Sequence, residues 1–153
     1  MTAADVAFAA GFGSIRQFND TIREVYSATP GDLRRSDAHT GSISLRLATR
    51  QPFAGDELLA FLGQRAIPGV ESWDGTTFAR SMRLPHGVGT ARITAHQDHC
   101  RATVQIEDLR DLAPAVSRIR RMLDLDADPV AVATVLADTL PVSRIPGLRS
   151  PQI

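Results

Sequence analysis

Three aspartates at alternate positions form the clearest set of possible metal ligands in this sequence. Asp124, Asp126 and Asp128 have the spacing of the first three ligands of an EF-hand calcium loop. Pro129 stands where that loop requires glycine, and Val135 stands where it requires a bidentate glutamate. The pattern instead favours an N-cap at Asp128 for a helix that Pro129 opens.

Two histidines and the single cysteine form a second possible metal set. His96, His99 and Cys100 fall on a strand and its turn, where their side chains diverge, and a fourth ligand has no candidate. Gly87 and Gly89 lack the third glycine and the following helix of a dinucleotide-binding loop, and no Ser, His and Asp set has the context of a catalytic triad. We therefore predict no catalytic residue, no metal and no cofactor.

Composition and charge describe an ordinary globular protein. The 153 residues are 43% hydrophobic, and 17 basic residues, all of them arginine, balance 17 acidic ones. No overall charge attracts nucleic acid or membrane, so any basic surface must be local. One cysteine excludes an internal disulfide, and neither a signal peptide nor a run of roughly 18 to 20 apolar residues is present. We expect a cytoplasmic protein without membrane partners.

The first segment contains two short helical patterns joined by a glycine-containing turn. Residues 3–10 are rich in alanine and favour a helix that ends at Gly11, and Ser14 can cap a second helix. One face of the second helix is apolar and carries Ile15, Phe18, Ile22 and Val25. Its other face is polar and carries Arg16, Gln17, Asn19, Asp20 and Arg23.

This pattern has two interpretations. It is typical of a solvated helical hairpin, and it is also typical of a helix-turn-helix unit, whose second helix enters the DNA major groove. Arg, Gln and Asn are the side chains that form bidentate contacts with guanine and adenine edges. The polar face is thus suited to base recognition, although the spacing by itself leaves both interpretations open.

Particular residues resemble a known family of regulators. Gly11 to Ser14, Phe18, Thr29-Pro30 and Leu33-Arg34 resemble the second helix-turn-helix of AraC/XylS regulators, in the version found in Ada-type alkylation-response proteins. The resemblance covers about residues 3–35. Such regulators normally use two helix-turn-helix units bridged by a long helix, and the first is missing here. The resemblance also implies binding to double-stranded DNA, weak for this chain alone, through Ser14, Arg16, Gln17, Asn19, Asp20 and Arg23, with Arg23 reaching phosphate.

The second segment follows a polar linker, predicted at 36–41, and favours an α+β fold. Strict alternation predicts a strand over 42–48, and a short apolar helix with Leu58, Leu59, Phe61 and Leu62 toward a core is predicted over 56–65. Strands are predicted over 70–73, 77–84, 88–96 and 100–106, with an Asp74-Gly75 hairpin turn. A closing helix carries an apolar stripe of Leu109, Leu112, Val116, Ile119 and Leu123. The order predicts a two-layer β-α-β4-α domain.

Three short sequence motifs in this segment resemble the amino-terminal domain of AlkA-type 3-methyladenine-DNA glycosylases. They are Arg65 to Glu71, Arg118 to Pro129 and Gly147 to Pro151. The resemblance spans about residues 43–151 and implies a sheet domain like that of the TATA-binding protein. Fusion of an Ada-type regulator half to a glycosylase half is a known architecture, so the two resemblances support each other.

The resemblances together divide the chain and imply a role. They place a partial helix-turn-helix at 1–35 and the AlkA-type domain at 42–141. Residues 142–153 are then the start of a connection to a helix-hairpin-helix glycosylase domain, which is expected beyond Ile153. In that family a damaged base is flipped into a pocket of the later domain. We therefore expect the DNA-binding, non-catalytic part of an alkylation-damage repair and regulatory protein. The alternative is a stand-alone interaction or small-ligand module.

Overall fold

The computed structural model describes Arg16, residues 42–136, residues 146–147 and residues 149–151. Five strands and three α-helices form an α+β fold in this part of the chain, as the sequence predicts. In chain order they are β1 (Ser42–Ala48), α1 (Gly55–Gly63), β2 (Glu71–Trp73), β3 (Thr77–Arg83), β4 (Val88–Ala95), β5 (His99–Ile106), α2 (Leu112–Met122) and α3 (Pro129–Leu136).

The strands form one antiparallel sheet in the order β1-β5-β4-β3-β2. Consecutive strands β2 to β5 lie beside one another because short turns connect them. Gly75 adopts a φ of 102° in the turn between β2 and β3, a conformation that glycine adopts without steric cost. The first strand pairs with the last, and Leu45 lies opposite Ala102. Because β2 and β3 pair on either side of Asp74-Gly75, the predicted hairpin is confirmed.

One face of the sheet supplies most of the core. In β1 buried and exposed residues alternate, and Ile43, Leu45 and Leu47 are buried, as predicted from the sequence. Across the register the same face carries Phe78 of β3 and Ile93 of β4, both fully buried. The opposite face is polar and includes Arg46, Thr90, Arg92, Arg101 and Thr103, so the alternation separates a core face from a solvent face.

The helices complete the same core. α1 packs against β2, β3 and β4, and α2 buries Ala115, Val116, Ile119 and Met122. Trp73, at the end of β2, is half-buried and packs against that core. A Cβ atom at Gly63 would lie 2.2 Å from the Trp73 ring, so glycine is what lets this helix approach the strand.

Two apolar residues were wrongly predicted to face the core. Phe61 is 41% exposed, because it lies on the outer side of α1 and the Arg65 guanidinium stacks on its ring at 3.9 Å. Leu109 is 43% exposed, because it belongs to a 3-10 turn over Leu109–Asp111 that precedes α2 and does not continue the helical stripe. The stripe of α2 itself, with Val116 and Ile119, is buried as predicted.

Candidate functional site

The predicted DNA-binding residues lie almost entirely outside the described residues. Arg16 is helical and exposed, in keeping with its predicted place on a polar helix face. Ser14, Gln17, Asn19, Asp20 and Arg23 fall outside the described part of the chain. Their role in DNA binding stays a prediction.

Helix α3 carries three exposed apolar side chains in one short element. It contains only apolar residues and one threonine, yet Pro129 is the one residue of this helix that is buried. Val130, Val132 and Val135 are 58%, 47% and 75% exposed. A helix that is apolar all round is normally buried, so the exposure of α3 departs from the usual pattern.

The start of α3 is held by the N-cap that the sequence predicts. The Asp128 carboxylate accepts hydrogen bonds of 3.0 Å from the backbone N–H groups of Val130 and Ala131. Arg50 lies at 3.3 Å from the same carboxylate. The bonds from Ala131 and Val130, helped by the Arg50 charge, lower the pKa of Asp128 below its ordinary value. The cap thus fixes the first turn of α3, and Arg50 links it to the segment after β1.

A second set of contacts holds the segment that follows α3. Arg149 is 6% exposed, and its guanidinium donates to the carbonyl oxygens of Ala127, at 2.9 Å, and of Arg50. Burial lowers the pKa of Arg149, and the charges of Asp124 and Asp128 oppose that shift. The buried arginine therefore joins the loop after β1 to the loop that leads into α3.

Gly147 and Ser150 add two backbone contacts to this anchor. The Ala54 N–H donates to the Gly147 carbonyl oxygen at 3.0 Å, and the Ser150 N–H donates to Asp124 at 3.2 Å. Gly147 has a φ of 82°, and a Cβ atom there would lie 2.5 Å from the backbone of Pro52. Only glycine fits this position without displacement. The contacts place residues 147 and 149–150 on the sheet domain.

The three aspartates with EF-hand spacing make separate structural contacts. Asp124 accepts from Ser150, Asp126 pairs with Arg120, and Asp128 caps α3. The hydrogen bond from Arg120 is the main reason that the pKa of Asp126 is lowered. No group of three or more His, Cys, Asp or Glu side chains within the described ranges is placed to hold a metal ion.

The histidines near the β4–β5 turn pack on each other. The rings of His96 and His99 are stacked with centroids 4.6 Å apart, and His99 Nδ1 lies 2.7 Å from Asp98. Cys100 points to the core and is fully buried, and desolvation raises the pKa of its thiol to about 12. A thiol with such a pKa stays protonated at neutral pH and is a poor nucleophile.

Sequence reasoning missed a buried polar pair beside α2. Asp111 is 1% exposed and accepts from the His86 backbone N–H at 3.1 Å, while His86 Nδ1 lies 2.8 Å from the same carboxylate. The pair joins the β3–β4 turn to the start of α2. Asp111 lies at the end of a 3-10 turn, and no sequence pattern links it to His86, which is 25 positions away.

Helices of membrane-spanning length and apolarity do not occur among the residues that the structure describes.

Comparison with known proteins agrees with the second resemblance found in the sequence. The family model described as the AlkA N-terminal domain matches residues 44–153. Two curated relatives, from Mycobacterium tuberculosis strains CDC 1551/Oshkosh and ATCC 25618/H37Rv, bear the name "Probable bifunctional transcriptional activator/DNA repair enzyme AlkA". Each is 44% identical over 160 aligned residues, which cover 97% of this chain and 32% of the relative. The chain thus spans about a third of the length of these relatives.

Proposed function

Because this chain belongs to the AlkA N-terminal domain family, we propose that it is the DNA-binding, non-catalytic part of an alkylation-damage repair and regulatory protein. In this proposal residues 3–35 contact double-stranded DNA through a helix-turn-helix of the AraC type. The sheet domain covers a glycosylase domain and positions it. The base-excision chemistry belongs to that other domain.

The similarity to a bifunctional relative supports the repair and regulation parts of this proposal. The M. tuberculosis protein is named both a transcriptional activator and a DNA repair enzyme, and its alignment covers 97% of this chain. The family match begins at residue 44, so the remaining aligned residues include the segment that resembles the regulators. The same alignment therefore includes both segments.

The exposed apolar surface of α3 is the structural observation that carries the covering role. Val130, Val132 and Val135 lie on a helix without a single charged residue, next to the anchor formed by Gly147 and Arg149. Exposed apolar side chains on a fixed element are typical of an interface that another domain covers. The capped helix and the anchored segment give that domain a defined orientation.

The first test measures DNA affinity. One helix-turn-helix with few arginines should bind duplex DNA non-specifically, with a Kd on the order of 10⁻⁴ to 10⁻⁶ M at physiological salt, and should lose affinity as salt rises. The Arg16→Ala, Arg23→Ala variant should bind more weakly. The control variant Arg92→Ala, Arg101→Ala removes the same charge from the polar sheet face and should bind as the parent does. Equal loss in both variants would contradict the helix-turn-helix role.

The second test measures base release. The chain is incubated with duplex DNA that carries 3-methyladenine or 7-methylguanine, and abasic sites are counted against a buffer control. We expect no release above the control, because a flipped base requires a pocket, a wedge and a carboxylate, and the resemblance assigns all three to another domain. If bases are released and substitution of an acidic residue in this chain abolishes the release, this chain contains a catalytic carboxylate.

The third test examines the interface on α3. The chain is compared with its fusion to the glycosylase region of the mycobacterial relative. The fusion should melt at a higher temperature than the chain, and Val132→Ser, Val135→Ser should lower the melting temperature of the fusion only. Phe61→Ser, an exposed apolar residue on α1, is the matched control and should act equally on both proteins. If the α3 variant lowers the melting temperatures of the chain and the fusion equally, α3 is not part of the interface.

A further inference from the structure

β3 is longer than its neighbour β2, so the end of β3 has an open edge. β2 pairs with β3 only as far as Arg80, and the Ser81 N–H then donates to the Val70 carbonyl oxygen at 2.9 Å. Before Val70 the chain turns at Gly69, whose φ is 84°. Within the described ranges, no further strand therefore lies beside the last residues of β3, up to Arg83.

The backbone of Arg83 faces this open side. In an antiparallel sheet the N–H and C=O groups of successive residues point to opposite neighbours. Ser81 bonds on the side of β2, whereas the Leu84 N–H donates to Gly87 in the turn toward β4. Arg83 therefore points its backbone groups to the side of Ser81, and its carbonyl oxygen accepts from the Arg118 guanidinium of α2. Arg118 thus replaces the N–H group that a neighbouring strand would donate.

An apolar cleft lies between this edge and the second half of α2. Its volume is about 350 Å³, at the lower end of the range for ligand pockets and large enough for an apolar side chain. Its lining includes four buried apolar residues, Met82, Ala91, Ile119 and Met122. Methionine is unbranched and flexible, so it packs against apolar groups of different shapes. The floor of the cleft is therefore suited to an apolar side chain.

The rim of the cleft on α2 is positively charged. Arg118 and Arg121 lie one turn apart on α2, are exposed and line the cleft. The ion pair of Arg80 with Glu71, at 2.8 Å, already neutralises the arginine on β3. Arg118 bonds only to a neutral carbonyl group, and no described carboxylate pairs with Arg121. The rim thus has two guanidinium groups that a carboxylate can reach.

We propose that this cleft binds a short extended peptide of a partner protein, in which an apolar residue is followed by acidic residues. The peptide backbone lies beside Arg83 and continues the line of β2, as when a peptide adds a strand to a sheet edge. Its apolar side chain enters the cleft over Met82 and Met122. Its carboxylates pair with Arg118 and Arg121, whose planar guanidinium groups match the carboxylate oxygens.

These features favour a peptide over a nucleic acid. The open strand edge pairs with another peptide backbone, whereas proteins contact the phosphate backbone chiefly through charged and polar groups and not through an apolar floor. Two arginines at one rim also supply little of the charge that tight binding to a duplex requires. The valines of α3 are not among the residues that line the cleft, so this site is separate from the proposed interface on α3.

The experiment measures the binding of dye-labelled peptides to the full chain by fluorescence anisotropy. The peptides share the sequence Thr-Val-Thr-X-Glu-Glu, in which X is Val, Ile, Leu, Met or Phe. The tightest binder is then remade with two glutamines in place of the glutamates and, separately, with N-methyl groups on its central backbone nitrogens. We expect each change to weaken binding at least about tenfold, because the first removes the ion pairs and the second removes the backbone donors.

Protein variants locate the binding site. The cleft variant is Arg118→Gln, Arg121→Gln, and the control variant Arg92→Gln, Arg101→Gln removes the same charge from the polar sheet face. Thermal melting checks that both are folded. The cleft variant should bind the glutamate peptide at least about tenfold more weakly, and the control variant should change by less than about twofold. The glutamine peptide should bind the parent and the cleft variant equally, because the pairs are already absent.

Each outcome supports or overturns the proposal. Saturable binding that the cleft variant loses and the control variant keeps supports it. No saturable binding of any peptide, equal losses in both variants, or full affinity of the N-methylated peptide overturns it. A cleft variant that loses affinity for a labelled duplex but not for the peptides would show that the ligand is a nucleic acid and that the proposal is wrong.

This test is independent of the proposed function. Val132→Ser, Val135→Ser should bind the peptides as the parent does, because α3 does not line the cleft. The peptide titration does not involve the helix-turn-helix either. Failure of peptide binding is therefore distinct from failure of DNA binding or of the α3 interface.

Discussion

Helices α2 and α3 are neighbours in the chain but have opposite relations to the core. α2 contains three arginines and still buries Ala115, Val116, Ile119 and Met122. α3 contains no charged residue, and its three valines are all exposed. Hydrophobic content alone therefore does not decide which helix enters the core.

The period of the apolar residues explains the difference. In α2 they recur at positions i, i+1, i+4 and i+7, so they form one stripe that the sheet covers. In α3 the valines are distributed around the helix, and one side of it at most can face the sheet domain. α2 is thus an internal element, whereas α3 is the element that contacts another domain in the proposed function.

Replacing a core residue of α2 should have the largest effect. Ile119 is fully buried, and Ile119→Ala should lower the free energy of unfolding by about 2–5 kcal/mol because a cavity remains. Val135→Ala in α3 should change it by less than about 0.5 kcal/mol, because this side chain is exposed. Urea denaturation of the two variants measures the difference. Similar losses would show that α3 is part of the core.

Removal of the buried arginine should have the next largest effect. Arg149→Ala leaves the carbonyl oxygens of Ala127 and Arg50 without this donor, so we expect a loss of about 1–3 kcal/mol in the free energy of unfolding. Arg101→Ala, on the polar sheet face, serves as the control. Thermal and urea unfolding measure both. A loss no greater than that of the control would mean that Arg149 does not fix the loop that leads into α3.

The cap of α3 should produce a smaller, pH-dependent effect. Since the pKa of Asp128 is lowered in the folded protein, its contribution is present above the ordinary aspartate pKa of about 3.9 and is lost as the pH falls through the lower value. The stability difference between the parent and Asp128→Ala should thus be constant near neutral pH and vanish in acid. Melting temperatures from about pH 7 down to pH 2 test this. A difference that persists in acid would contradict an ionised cap.

Polar substitution on α3 should have the smallest effect on stability and a clear effect on association. Val132→Ser, Val135→Ser replaces exposed apolar side chains, so the free energy of unfolding should change little. Self-association of the chain, measured by sedimentation velocity at increasing concentration, should decrease because less apolar surface is exposed. An unchanged association would show that these valines are not its cause.

Much of the sheet was predictable because its signals are local. Alternation in β1, the Asp74-Gly75 turn and the N-cap at Asp128 each depend on a few consecutive residues, and all three predictions are confirmed. Phe61 was predicted incorrectly because a short helix with four large apolar residues does not reveal which of them the sheet leaves uncovered. The predicted DNA-binding residues other than Arg16 fall outside the described part of the chain.

The partners of buried polar groups were not predictable. Arg149 meets a carbonyl group 99 positions away, and Asp111 meets a histidine 25 positions away. Neither pair has a spacing that sequence rules recognise. The Arg118 guanidinium likewise donates to a carbonyl group 35 positions away, a contact that depends on α2 and β3 coming together.

The sequence by itself determined the kinds of element, their order and the family resemblance, because strand alternation, turn residues and caps act over short distances. Tertiary structure alone decided the pairing of β1 with β5, the burial of Arg149 and the contact of His86 with Asp111. The physical reason is that burial and charge balance are properties of surfaces brought together by folding. A single stretch of chain supplies only one of the two surfaces that meet in each such contact.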